Sequence, residues 1–198
     1  MVVEDGRLIF EEAIREDINF LSEFYEEKLN EFLRMANITN KPLPKDVLIN
    51  LGCATEKGKK IYFNNAGLLF FSKNQIRFNR NAYITCALFK GKIQVDVLDR
   101  KDFDGNLLEQ FEDSIKFIQK NTRLAYEIKG LYRKEIPEYP IEAIREGVLN
   151  AIIHRDYLIK GGNIYLYIFD DRIEITSPGS FPKGMHKEDI GKKAVRRK

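Results

Sequence analysis

The sequence contains few cysteines, and their positions argue against two kinds of cysteine-based structure. Cys53 and Cys86 lie in unrelated segments of the 198-residue chain, without the spacing of metal ligands. A disulfide framework uses several paired cysteines, and a zinc site uses cysteines or histidines at short, characteristic spacings. The sequence therefore argues against a disulfide-stabilised fold and against a zinc site, and it predicts a protein of the reducing cytosol.

Long apolar segments are also absent. The sequence has no run of about 18 apolar residues, which a membrane-spanning helix would need. Its start, Met1-Val-Val-Glu-Asp, is too short and too acidic for a secretory signal peptide. We therefore expect a cytoplasmic protein without a membrane partner, long enough to form one large domain or two small ones.

The chain has no large excess of charge of one sign. It carries 33 basic and 30 acidic residues, which gives a formal net charge of +3. This near balance does not by itself indicate nucleic-acid binding. Part of the basic excess is local, at Lys187, Lys192, Lys193, Arg196, Arg197 and Lys198. A solvated tail is the first interpretation of this segment, and contact with phosphate is the alternative.

Two familiar motifs of nucleotide enzymes are missing. Five residues separate Gly52 from Gly58, whereas a Walker A loop has four between its glycines, and Lys60 stands where that loop needs Ser or Thr. The run His154-Arg155-Asp156 resembles a kinase catalytic loop, but Gly161 occupies the position of the required Asn. We therefore reject both motifs.

The alternation of helix and strand patterns predicts an α+β fold. Residues 41–136 contain no arrangement that indicates catalysis, so this part is predicted to be an α+β scaffold. The predicted helices run from Asp17 to Leu33, Lys45 to Leu51, Asn64 to Phe71 and Asn106 to Asn121. The predicted strands are Ala82 to Phe89, Lys92 to Leu98, two short strands between Leu124 and Ile136, and a hairpin of Asn163 to Phe169 with Arg172 to Thr176.

The segment from Tyr139 to Tyr157 is the strongest candidate for a functional element. Pro140 favours a helix start, and Gly161-Gly162 marks the stop. At about 100° per residue, the apolar side chains gather on one face of this helix and the polar ones on the other. The apolar residues are Ile141, Ile144, Val148, Leu149 and Ile152, and the polar residues are Glu142, Glu146, Asn150 and His154.

The polar stripe of this helix has two interpretations. A solvated face with contacts between successive turns is the ordinary one. A mixture of acid, amide and imidazole favours a binding site instead, because solvated faces usually alternate Glu with Lys. Gly147 beside the stripe costs roughly 1 kcal/mol of helix propensity relative to Ala, so we expect a ligand or another backbone to approach closely there. Arg145 falls inside the apolar face and needs a partner.

Two segments resemble a known family. They run from Glu142 to Tyr157 (EAIREGVLNAIIHRDY) and from Ile168 to Gly179 (IFDDRIEITSPG). Both are similar to the C-terminal region of RecG-related transcriptional regulators, which also carry a Schlafen-type, divergent AAA module for DNA binding at the N-terminus. That C-terminal region is similar in turn to the GHKL ATPases, whose N-box is a helix bearing Glu-x-x-x-Asn.

The resemblance implies roles for particular residues. Glu146 corresponds to the acid that activates water, and Asn150 to the amide that coordinates Mg²⁺, which implies ATP and Mg²⁺ as cofactors. In the turn that recognises adenine, Ser177 stands in the place of an Asp, Gly179 keeps the first glycine and Phe181 replaces the second. A hydroxyl is a weaker partner for the adenine amine than a carboxylate.

Two further residues are counted with the candidate nucleotide site. His154 is either a general base or an interior histidine hydrogen-bonded to a neighbour, the commoner situation for a single histidine. Arg155 is available to bind a carboxylate or a phosphate, and Asp156 and Tyr157 are expected to close the helix end.

Together these observations predict three regions and one function. The regions are a helical linker over 1–40, an α+β middle domain over 41–136, and a truncated GHKL-like (Bergerat-like) α/β sandwich over 137–198. The predicted function is that of a fragment of a RecG-like transcriptional regulator with a degenerate or incomplete ATP site. The alternative is a scaffold or dimerisation module that binds no nucleotide, and a homodimer is left open.

Two expectations concern segments outside this sequence. Hydrolysis by this chain alone is not expected, because the glycine-rich lid over the triphosphate would follow Lys198. DNA contact is expected only through modules that would lie before Met1 and after Lys198.

Overall fold

The computed structural model describes residues 3–4, 7–8, 10–38, 42–129 and 132–179. The helices are α1 (Phe20–Glu23), α2 (Glu26–Met35), α3 (Pro44–Asn50), α4 (Asn65–Phe71), α5 (Leu107–Asn121) and α6 (Ile141–Ile153). The strands are β1 (Val3–Glu4), β2 (Arg7–Leu8), β3 (Ala54–Lys57), β4 (Lys60–Phe63), β5 (Ile84–Phe89), β6 (Val97–Phe103), β7 (Leu124–Lys129), β8 (Tyr132–Pro137), β9 (Ile164–Ile168) and β10 (Ile173–Thr176).

The largest sheet in the described residues has four strands and is mixed. Its strand order is β10-β9-β5-β6. The two central strands, β5 and β9, are parallel and pair from Ile84 with Ile164 to Leu88 with Ile168. Each outer strand is antiparallel to its neighbour. The pairs β1–β2, β3–β4 and β7–β8 form separate two-stranded sheets.

Helices α5 and α6 cover one face of this sheet. Because successive side chains of a strand point to opposite faces, alternate residues of β5 and β9 reach these helices. The main core joins Ile84, Cys86, Ile164, Leu166 and Ile168 of the strands to Ile115, Ile118, Ile144, Val148 and Ile152 of the helices. Since the apolar side of α6 is used in this way, its polar side is directed outwards.

A second core surrounds α4 in the N-terminal part of the chain. Its members include Leu29, Leu48, Phe63, Leu68 and Phe71. The Asn64 side chain caps α4, because its Oδ1 accepts a hydrogen bond from the Gly67 N–H at 2.8 Å. A Cβ on Gly67 would overlap the carbonyl oxygen of Cys53, so this position requires glycine.

The α+β class predicted from the sequence is confirmed. Helices α3 to α5 and the hairpin β9–β10 form where they are predicted, with ends that differ by a few residues. Helix α6 also forms, but the predicted stop at Gly161-Gly162 is wrong, because the helix already ends at Ile153. Asn106 and Glu109 form a capping box at the start of α5, which explains why that helix start is clear in the sequence.

The prediction of one helix from Asp17 to Leu33 is wrong. Helices α1 and α2 occur there, and Phe24 and Tyr25 between them are extended. The Tyr25 N–H donates to the Phe71 carbonyl at 2.9 Å, so the chain leaves the helix in order to bond to the end of α4. Asp17 does not cap α1, because its carboxylate pairs with Arg15 at 2.8 Å.

The strand predicted at Lys92 to Leu98 is displaced towards the C-terminus. Strand β6 begins at Val97, and the Lys90 N–H donates to the Asp96 carbonyl at 2.9 Å across the preceding turn. The alternating Ile93 and Val95, which suggested the strand, are 65% and 68% exposed. Their pattern therefore reflects an exposed apolar turn and not a buried strand face.

Both cysteines are free and buried, Cys53 in the second core and Cys86 in the main core. Burial raises the pKa of the Cys53 thiol to about 11 and that of the Cys86 thiol to about 12. Among the described residues, none of the helices has the length and apolar content needed to cross a membrane.

The four-stranded sheet contains strands from both sides of residue 136, the predicted boundary between the middle and C-terminal regions. Strands β5 and β6 precede that residue, and β9 and β10 follow it. Residues from both sides thus contribute to the main core. The basic segment from Lys187 to Lys198 and the predicted role of Phe181 lie outside the described residues.

Candidate functional site

Helix α6 carries the candidate site, and its apolar residues determine its orientation. It begins after Pro140 and has no side-chain N-cap. Ile144, Val148 and Ile152 are buried in the main core. His154 follows the last helical residue, and its N–H donates to the Asn150 carbonyl at 3.0 Å. Packing of one face therefore holds the helix in place.

Glu146 and Asn150 lie next to each other on the exposed face of α6. The Asn150 Nδ2 donates a hydrogen bond to the Glu146 Oε1 at 2.9 Å. Both residues are exposed, as are Glu142 and His154 on the same stripe. The pair thus presents oxygen atoms of a carboxylate and of an amide to the solvent.

At Gly147, where we expected a ligand or another backbone to approach closely, the structure instead has a side chain of the sheet. A Cβ on Gly147 would lie 3.0 Å from the Ile175 Cδ1 of β10. The glycine therefore allows α6 to pack closely on the edge strand. Arg145 finds the expected partner in the ring of Phe111, 4.8 Å from its guanidinium carbon, which is a cation–π distance.

The turn after β10 is attached to the C-terminal end of α6. The Ser177 Oγ donates to the Ala151 carbonyl at 2.7 Å, and the Asp156 N–H donates to the Pro178 carbonyl at 2.8 Å. Gly179 has a φ of 152° and lies so close that a Cβ would be 3.4 Å from the His154 carbonyl oxygen. The fold therefore brings the two segments of the resemblance, α6 and the Ser177–Gly179 turn, into direct contact.

Arg155 is buried at this junction and binds backbone carbonyls. Arg155 is 2% exposed, and its Nη2 donates to the carbonyls of Gly162 at 2.7 Å and Asn81 at 3.0 Å. The guanidinium also lies over the Tyr157 ring, 4.7 Å from its centre. Burial lowers the pKa of Arg155. Its atoms connect the end of α6 to the segments that enter β5 and β9.

His154 is exposed at the C-terminal end of α6, so the interpretation as an interior histidine is wrong. The structure brings Glu146 together with Asn150, and Ser177 and Gly179 together with the helix end near His154. It places Arg155 beneath this surface, where its hydrogen bonds are made to the protein backbone.

The exposed oxygen atoms of Glu146 and Asn150 are of the ligand type that Mg²⁺ takes in proteins. No three His, Cys, Asp or Glu side chains within the described ranges lie close enough to share a metal ion. Magnesium commonly takes one or two protein oxygens and completes its shell with water and phosphate.

A cavity of about 360 Å³ lies away from this site, between α2, β6 and α5, with Lys28, Asp104, Glu109 and Lys116 among its lining residues.

The sequence did not reveal the partners of Arg155. The carbonyls of Asn81 and Gly162 come from distant segments, and a backbone carbonyl leaves no residue-type signal. The pairing of β5 with β9 brings them together. The one local signal of a structural role for Arg155 is Tyr157, two residues later, because guanidinium groups stack on aromatic rings.

Comparison with known proteins supports an ATPase-like C-terminal region. The sequence model of the family described as "Putative ATP-dependent DNA helicase recG C-terminal" matches residues 161–198. The match includes the hairpin β9–β10, Ser177 and Gly179, and it begins after α6. A comparison with curated proteins found no match.

The fold is shared with a solved structure. The crystal structure of the DIP2311 protein from Corynebacterium diphtheriae, a structural-genomics target, superposes with a TM-score of 0.73 and 21% sequence identity. The match covers 94% of this chain and 36% of the DIP2311 chain, so this chain corresponds to about a third of that protein. At this identity the likeness shows the fold. The chain therefore has an α+β fold, and its residues 161–198 are similar to the RecG C-terminal family.

Proposed function

We propose that the polar face of α6 and the turn after β10 bind ATP with Mg²⁺, in a chain that is part of a RecG-related transcriptional regulator. The observation that carries the proposal is the exposed Glu146–Asn150 pair on a helix whose end is bonded to the Ser177–Gly179 turn. The match of residues 161–198 to the RecG C-terminal family supports it, because the described part of that segment, residues 161–179, contains the neighbouring hairpin and turn.

Asn150 and Glu146 have separate roles in this proposal. The Nδ2 of Asn150 donates to Glu146 and so leaves the amide oxygen to coordinate Mg²⁺. The same hydrogen bond holds the Glu146 carboxylate in place, where it would orient or deprotonate a water molecule. When bound, ATP would supply the phosphoryl group and Mg²⁺ would neutralise the negative charge of its phosphates.

Ser177 would hold the adenine amine in this proposal. A hydroxyl group has one hydrogen to donate and two lone pairs to accept hydrogen bonds. Ser177 gives its hydrogen to the Ala151 carbonyl, so its oxygen keeps the acceptor capacity that an exocyclic amine requires. Because a neutral hydroxyl is a weaker acceptor than a carboxylate, we expect weak nucleotide binding.

Isothermal titration calorimetry with ATP and Mg²⁺ tests the proposal. The wild-type chain is expected to release binding heat, and Asn150→Ala is expected to lose most of it. Asn50→Ala is the matched control, because Asn50 is an exposed amide at the end of α3 in the other core region. Absence of heat with the wild-type chain, or equal heat with wild type and Asn150→Ala, would remove the nucleotide from the proposal.

A scaffold or dimerisation module without nucleotide is the second candidate. The observation that favours it is the use of Gly147 and Arg155 for packing and for backbone hydrogen bonds. It predicts that Glu146→Gln and Asn150→Ala leave every property of the chain unchanged. In both candidates, DNA binding is assigned to other modules of the regulator.

A further inference from the structure

The sheet has a second face, opposite α5 and α6, with an unusual set of side chains. Tyr165 and Tyr167 of β9 lie there beside Thr85, Ala87 and Phe89 of β5, because they alternate with the residues of the main core. In the described part of the chain, the apolar cluster on this face consists of Ala87, Phe89, Phe169 and Tyr167. Its members come from the two central strands and the residue that follows β9.

The tyrosine rings of this face, here called the tyrosine face, form a partly exposed aromatic row. The rings of Tyr165 and Tyr167 are 5.6 Å apart, and Tyr167 packs edge-on against Phe89 at 5.2 Å. Arg100 of β6 and Glu174 of β10 flank the row, with side chains that are 59% and 39% exposed. Tyrosine and arginine are enriched at the centres of protein interfaces, where they contribute much of the binding energy.

The strand register arranges these residues in rows across the sheet. Glu174 is opposite Tyr167, Tyr167 is opposite Ala87, and Ala87 is opposite Arg100. One row therefore reads Glu174, Tyr167, Ala87, Arg100. The next row reads Thr176, Tyr165, Thr85, Asp102. In the first row, Glu174 and Arg100 stand at opposite ends. The large Tyr167 and the small Ala87 are neighbours in its middle.

A two-fold axis parallel to the central strands would match this face to itself. The rotation reverses the strand order and keeps the strand direction, so Glu174 of one copy faces Arg100 of the other, at both ends of the row. Tyr167 of each copy then lies opposite the strand position of Ala87 in the other, and Tyr165 lies opposite Thr85. A two-fold interface must be complementary to itself in this way.

We infer that the tyrosine face binds a second copy of this chain, with the two sheets packed face to face. Packed sheets lie about 10 Å apart with their strands within about 30° of each other, which lets tyrosine side chains from both copies interdigitate. The two bases and two acids at this face, Arg100, Arg172, Asp102 and Glu174, sum to no net charge, which favours a protein partner over nucleic acid. The inference does not depend on nucleotide binding.

Sedimentation velocity of the 198-residue chain over a concentration series, without nucleotide, tests the inference. The wild-type chain is expected to form dimers. Arg100→Glu and Glu174→Arg, made singly, each place like charges opposite one another and are expected to raise the dimer dissociation constant by about tenfold or more. The double variant Arg100→Glu/Glu174→Arg restores opposite charges and is expected to restore the dimer.

Lys101→Glu is the matched control, because Lys101 is the next residue of β6 and its side chain belongs to the other side of the sheet. It has the same charge change as Arg100→Glu and is expected to leave the dimer intact. Circular dichroism and thermal melts check that each variant folds. The inference is overturned if the wild-type chain remains monomeric throughout the series, if the folded single variants dimerise as well as wild type, or if the double variant fails to recover.

Discussion

Helices α4 and α6 contain similar residues and use them in opposite ways. Each contains a glycine next to apolar residues and has an asparagine whose side chain makes hydrogen bonds, the N-cap Asn64 just before α4 and Asn150 within α6. In α4 the glycine and the capping asparagine are buried among backbone groups of other segments. In α6 the Asn150 amide bonds to a side chain of its own helix and is exposed. The Asn150 amide is therefore available for binding a ligand, whereas the Asn64 amide is used to hold the fold together.

The largest expected effect is at the glycine of α4. Gly67→Ala would place a methyl group against the Cys53 carbonyl and the Phe63 ring, so the helix must move away from its neighbours. We expect a loss of about 3 kcal/mol of unfolding free energy, at the upper end for overpacked cores. Urea unfolding measures this loss. A variant as stable as wild type would show that α4 has room that the structure does not reveal.

Substitution of Arg155 tests whether a buried residue just after α6 contributes as much to the unfolding free energy as the buried residues of α4. Arg155→Met removes the charged donors to the Asn81 and Gly162 carbonyls, and we expect a loss of roughly 3 kcal/mol of unfolding free energy. Arg145→Met is the control, because Arg145 is exposed and its partner is the Phe111 ring. Equal melting temperatures for the two variants would contradict the proposed backbone role of Arg155.

The two asparagines provide the next contrast. Asn64→Ala removes the cap of α4 and the hydrogen bond from Nδ2 to the Gly52 carbonyl at 2.5 Å, so we expect a loss of about 2 kcal/mol. Asn150→Ala removes one exposed hydrogen bond, and its effect on unfolding free energy is expected to stay within about 0.5 kcal/mol. Thermal melts of both variants compare them. If Asn150→Ala destabilised the chain as much, Asn150 would be a structural residue.

Gly147→Ala is expected to have the smallest effect among the glycine substitutions. The new methyl group would lie 3.0 Å from the end of the flexible Ile175 side chain, which can move, while Ala favours the helix. We expect a change within about 1 kcal/mol, because the gain in helix propensity offsets the cost of moving Ile175. Urea unfolding next to Gly67→Ala gives the comparison. A loss as large as that of Gly67→Ala would show that the contact between α6 and β10 is as rigid as the surroundings of α4.

Much of the fold could be predicted from the sequence, because local signals mark it. The capping box of Asn106 and Glu109 fixes the start of α5, and the apolar periodicity of α6 gives its buried face. The break at Phe24 could not be predicted, because it depends on a backbone hydrogen bond to Phe71. The parallel pairing of β5 with β9 is likewise a contact between distant segments that no local pattern encodes.

The candidate site was predictable to a smaller extent. The spacing of Glu146 and Asn150 is enough to place both on one helix face, and the structure has them hydrogen-bonded there. The contact between the Ser177 turn and the end of α6 depends on the packing of β10 against that helix, which the sequence does not specify. The burial of Arg155 has the same origin, because its carbonyl partners come together only in the completed sheet.

The strand order has a consequence for synthesis on the ribosome. Strand β9 occupies the middle of the sheet, but in the sequence α5, β7, β8 and α6 separate it from β5 and β6. A nascent chain that ends before Asn163 therefore exposes one edge of β5 without a hydrogen-bonding partner, and an unpaired edge promotes aggregation. Arg155 leaves the exit tunnel just before β9. The residue that bonds to the segments preceding β5 and β9 is therefore present when β9 pairs with β5.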